Sequence, residues 1–78
     1  MQKSRFTKKY ARVMAQLRAA RLKAGLTQTE VARRFGAHAP FVSKCESGER
    51  RIDVVELEEF CRIYGITVTE FLRAAGLE

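Results

Sequence analysis

The sequence predicts an all-α fold of five helices, and three observations carry that prediction. Three Thr/Asp-x-x-Glu capping boxes (Thr27/Glu30, Asp53/Glu56, Thr67/Glu70) each precede an apolar run. Apolar residues recur at spacings of three and four. No stretch of four or more residues alternates as a half-buried strand requires.

The first helix is expected from about Thr7 or Tyr10 to Ala24, with Tyr10, Val13, Leu17, Ala20 and Ala24 on one face. Gly25 then supplies a left-handed stop. The first capping box opens a short second helix, about Gln28 to Phe35, with Val31, Ala32 and Phe35 facing inward and Gly36 ending it. Pro40 suits the first turn of a helix, where its missing N–H has no partner to lose. A third helix is therefore expected over about Ala39 to Ser47, stopped at Gly48. Asp53 and Glu56 open a fourth, roughly Val54 to Tyr64, whose inward stripe is Leu57, Phe60, Cys61 and Tyr64. Thr67 and Glu70 open a fifth through Ala75, with Phe71 and Leu72 as its core residues and Gly76 closing it.

Seventy-eight residues allow one domain, read here as 7–78 behind a basic arm at 1–6. A large enclosed active site does not fit such a chain. The net charge of +6 is segregated: eight cations and no acid over 1–29, five against three over 30–52, two against six over 53–78. One end is thus suited to an anion such as nucleic acid or a membrane surface, while the acidic end turns away. Arg5, Lys8, Lys9 and Arg12 are candidates to wrap a groove, or else belong to a disordered tail. Cys45 and Cys61 are too few for a disulfide scaffold and read as buried free thiols, a redox pair being the alternative. No apolar run is long enough for a membrane span or a signal peptide, so a cytoplasmic protein with reduced thiols is expected. There is no Ser/His/Asp constellation, metal-ligand spacing or phosphate-cradling glycine loop. Neither an enzyme nor a cofactor or metal is expected.

Residues 26–46 place a short helix, a glycine turn and a second short helix in sequence, the helix-turn-helix arrangement. Leu26-Thr27-Gln28-Thr29-Glu30-Val31-Ala32, Gly36, and Val42-Ser43-Lys44-Cys45-Glu46-Ser47-Gly48 together closely resemble the phage repressor and Cro class of bacterial regulators, the Xre family. The resemblance covers about Leu17 to Leu72. It implies a small cytoplasmic, nucleoid-associated regulator that binds double-stranded DNA in a sequence-specific way. Stand-alone Cro-like proteins, restriction-modification controller proteins and DNA-binding antitoxins share this length, and the residues do not separate them. The alternative is a protein-interaction module or antitoxin whose main partner is another protein.

A major groove about 12 Å wide accepts one helix. Small or polar residues in the third helix would approach base edges there, so Ala39, Pro40, Phe41, Ser43 and Lys44 are the candidate readers, with Val42 and Cys45 turned to the core. Family members often carry Gln, Arg or Ser where Ala39 and Pro40 stand, which implies more apolar contact at those positions. Phe41 either reads or packs against the turn. Gln28, at a helix N-terminus, is a candidate phosphate contact, as are His38 in the turn and Arg50 and Arg51 after the third helix. Arg21 and Glu46 both fall on inward faces, and a structural ion pair would satisfy both; the resemblance implies the same pair. One helix reads too few base pairs for specificity, so a homodimer on a palindromic operator is expected. Val55, Ile63, Ile66, Val68 and Leu77 are the candidate dimer contacts.

Overall fold

Five helices follow one another in the computed structural model, which describes residues 3–77 and side chains from residue 8 onward. They are α1 (Lys3–Lys23), α2 (Gln28–Phe35), α3 (Ala39–Ser47), α4 (Val54–Tyr64) and α5 (Val68–Ala74). No strand occurs among the described residues.

The capping boxes form as the sequence predicts. Thr27, Asp53 and Thr67 each accept from the backbone N–H three residues on, and Glu30, Glu56 and Glu70 each accept from the cap N–H. The turn between α2 and α3 depends on Gly36, whose φ of 79° lies in the left-handed region open to glycine. Its N–H and that of Ala37 close the last turn of α2 on the carbonyls of Arg33 and Ala32.

α1 begins at Lys3, ahead of the expected Thr7 or Tyr10. The described part of the anticipated arm, residues 3–6, is therefore helix, continuous with α1. No glycine or proline interrupts 3–23, and Lys and Arg are good helix formers, so nothing in the chain stops the helix there. Residues 1 and 2 of the expected arm, and the side chain of Arg5, lie outside the described residues. At its other end α1 stops at Lys23, and Ala24 is exposed rather than part of the inward stripe.

Every helix contributes to one core: Leu17 and Ala20 from α1, Val31 and Ala32 from α2, Val42 and Cys45 from α3, Phe60, Cys61 and Tyr64 from α4, and Phe71 from α5. Burying a side chain of Leu or Phe size stabilises by about 1.5–3 kcal/mol. The short α2 and α3, which could not persist alone, are held by this packing. Both cysteines are buried free thiols, and desolvation pushes Cys61 up to about 11. α2 and α3 pack together as a pair, α1 packs against α3, α4 packs against α2, and α5 lies against α1 and α4.

Candidate nucleic-acid interface

α3 has two faces. Val42 and Cys45 are fully buried, whereas Pro40, Lys44 and Ser47 are exposed and Ala39 and Ser43 half-buried. Residues 40, 43, 44 and 47 recur at three and four, so they form one outward edge running the length of the helix. Ser43 and Ser47 donate their hydroxyls to the carbonyls of Pro40 and Lys44, both at 3.1 Å; the Ser43 oxygen keeps its lone pairs, while that of Ser47 also accepts from the Glu49 N–H at 3.3 Å. Lys44 has no carboxylate partner among the described residues. Ser47 extends the edge predicted from sequence by one turn; the same periodicity that placed Ser43 and Lys44 points to it.

A buried network fixes how α3 sits. Arg21 on α1 donates from Nε to Glu46 Oε2 at 2.7 Å and from a terminal nitrogen to Oε1 at 3.2 Å. Its other terminal nitrogen donates to the Leu26 carbonyl at 3.1 Å. The two side chains keep only 10% and 7% of their surface. Hydrogen bonding to Glu46 raises the Arg21 pKa above its ordinary value, so the guanidinium stays charged. The geometry is bidentate, as a guanidinium and a carboxylate favour.

Gln28, expected as a phosphate contact, also joins this network: its Nε2 donates to Glu46 Oε1 at 3.0 Å. The first turn of α2 is therefore tied to the last turn of α3, with the Gln28 side-chain carbonyl still able to accept. Beside it lies an open cleft of about 760 Å³, whose walls include Arg18, Thr27, Thr29, Ser43 and Ser47. Arg18 was not singled out in the sequence, though it stands one helical turn before Arg21 and is exposed.

Phe41 is placed inward rather than as an exposed reader. Its ring centroid is 4.9 Å from Phe35 and 6.0 Å from Phe60, and the Arg50 guanidinium lies 4.8 Å above it. Two aromatic rings and a cation hold the half-buried ring, so packing against the turn is the arrangement adopted. Arg50, expected on phosphate, is held by Glu56 through two hydrogen bonds of 3.0 and 2.9 Å and also donates to the Arg51 carbonyl. Pairing with Arg50 lowers the Glu56 pKa. Glu56 thus clamps the loop after α3 while capping α4.

Arg51 remains exposed, its guanidinium 4.2 Å over the Tyr10 ring. Tyr10 in turn accepts from the Ile52 N–H at 3.0 Å, a long-range contact that no local signal announced. His38 is the N-cap residue of α3, exposed, and makes no side-chain cap bond.

Of the candidate dimer contacts, Val55 is 69% exposed, and Val54 beside it 74%. Val54 was not named from the sequence, although it is as exposed as its neighbour. Ile63, Ile66 and Val68 are half-buried and pack partly on the core. Leu77 is half-buried beside Tyr10 and Val13 of α1.

A family pattern described as a helix-turn-helix domain matches residues 13–74. Among solved structures, an XRE-family like protein from Pseudomonas syringae pv. tomato str. DC3000 is similar at 39% identity, with a TM-score of 0.87 over 95% of this chain and 90% of that one. No curated protein matches.

Proposed function

The chain belongs to the Xre-like helix-turn-helix family and is a DNA-binding regulator of that type, and from that premise we propose that it reads a specific operator as a homodimer. The observation that carries this reading is the two-faced α3, buried at Val42 and Cys45 and open along Pro40, Ser43, Lys44 and Ser47. Set in the major groove, Lys44 donates to guanine O6 or N7, and Ser43 offers lone pairs to the amino groups of cytosine or adenine. Ala39 and Pro40 supply apolar contact to thymine methyls. Gln28, His38 and Arg51 border this edge and serve the flanking phosphates, while Arg50 and Phe41 hold the loop and helix in place.

The dimer contact centres on Val54 and Val55, two exposed apolar residues at the start of α4. Ile63, Ile66, Val68 and Leu77 support it from positions partly committed to the core. A two-fold dimer places two copies of α3 about one duplex turn, 34–36 Å, apart. Selection of bound sequences from a random duplex library tests this reading. A palindromic motif with half-sites at that spacing is the expected result; enrichment of a single unrepeated half-site would refute the dimer.

A further inference from the structure

We propose that the N-terminal half of α1 is a second phosphate grip on the duplex, built from Lys8 and Lys9 together with Arg51 of the loop after α3. This rests on the DNA-binding reading above and extends it to a part of the chain outside the helix-turn-helix.

Three independent features converge on it. First, the first two turns of α1 carry Lys3, Arg5, Lys8 and Lys9, and no acid stands anywhere in the helix. Cations at that end oppose the helix dipole, so the sequence accepts a cost that a bound anion would remove. Lys8 and Lys9 are exposed, and among the described residues no carboxylate pairs with either. Second, this half of α1 is helix, and at Tyr10 it is fastened to the segment following α3. Tyr10 accepts from the Ile52 N–H at 3.0 Å, one residue from Lys9 and one residue from Arg51. Third, the Arg51 guanidinium carbon stands 4.2 Å over the centroid of the Tyr10 ring. The ring accepts no N–H in a conventional hydrogen bond, so the exposed guanidinium keeps donors for a phosphate.

Lys9 and Arg51 border the same open depression of about 440 Å³, floored by Tyr10, Val13 and Leu77. A helix lying in a groove about 12 Å wide meets the flanking sugar-phosphate strand beyond its end. The loop carrying Arg51 leaves the C-terminal end of α3 at that place, and α1 brings Lys9 alongside it, with Lys8 exposed on the adjoining surface of the helix. Phosphate contacts of this kind position the protein and carry no base preference.

The test is the salt dependence of binding to the selected duplex for the wild type, Lys8→Gln/Lys9→Gln and Lys8→Arg/Lys9→Arg, each checked for helix content. Two lost phosphate contacts flatten the log–log slope by about 1.8, so the wild type loses about tenfold more affinity than the Gln variant between 50 and 200 mM salt. The selected motif stays the same, and the Arg variant restores the slope. A Gln variant with the wild-type slope overturns the proposal. So does an unchanged DNA slope accompanied by loss of binding to anionic phospholipid vesicles, which would assign the lysines to a membrane. A wild type that binds no duplex removes the DNA-binding reading with it, whereas binding with an unaltered slope removes the grip alone.

Discussion

Replacing Arg21 by Ala perturbs the structure at its most heavily coupled polar point. The change removes two hydrogen bonds to Glu46 and one to the Leu26 carbonyl. Glu46 then remains as a carboxylate with 7% of its side-chain surface exposed, beside the neutral donor Gln28 Nε2. Removing one partner of a buried pair typically costs about 3–5 kcal/mol, because the other charge is left desolvated. A domain of this size has about 5–15 kcal/mol in total and shifts its Tm by about 4–8 °C per kcal/mol. Arg21→Ala should therefore lower the Tm by at least about 12 °C in a circular-dichroism melt at pH 7. Arg21→Met/Glu46→Leu, which removes both charges while keeping apolar volume, should recover most of that loss. An Arg21→Ala loss under about 1 kcal/mol, or a double variant no better than the single one, would refute the buried-pair reasoning and with it the account of how α3 is oriented.

Three further outcomes follow from the same structure. Phe41→Ala should cost about 2–3 kcal/mol in denaturant titration, less than a fully buried Phe loses, and should leave base preference unaltered; a shifted preference at one base position would return Phe41 to the readers. Gly48, at φ 85°, has Met14 Sδ where a Cβ would go, whereas Gly36 at φ 79° faces open space. Both Gly48→Ala and Gly36→Ala should lose about 1–2 kcal/mol, the left-handed backbone cost, because the Met14 thioether is the end of a flexible side chain that can swing aside; a Gly48→Ala loss well above the Gly36→Ala loss would show that Met14 is locked in place. Glu56 has a folded pKa below its unfolded value of about 4.3, so its contribution is complete above that pH and vanishes as pH falls through the folded value. Stability measured from pH 6 to pH 2 should fall less steeply for Glu56→Gln than for the wild type, and parallel curves would deny the Arg50 clamp.

The helices were legible because caps and stops are local chemistry. Thr27, Asp53 and Thr67 announce their helices with the acid three residues on, and the structure forms all three boxes. The start of α1 was not, since residues 3–9 carry no breaker and the helix runs straight through Thr7, the cap residue the sequence offered. The outward edge of α3 was legible from period alone, through Val42 and Cys45. Phe41 was ambiguous because it lies one residue, about 100° of helix, from Val42, and so near the edge of the buried face. Arg50 looked like a phosphate ligand because a loop cation reads the same whether it faces DNA or a carboxylate. Its partner Glu56 is six residues away, a spacing no helical rule links. Tyr10 and Ile52, 42 residues apart, meet only through the tertiary fold.

The central claim is that the outward edge of α3 reads bases, and Lys44→Ala tests it most directly when the random-duplex selection is repeated with the variant. Loss of one bidentate or single donor to guanine should relax preference at one base position per half-site and weaken the best site by about 1–3 kcal/mol, with the remaining motif intact. A variant that selects the wild-type motif with undiminished preference at every position, or a wild type that enriches no motif at any salt concentration, would contradict it.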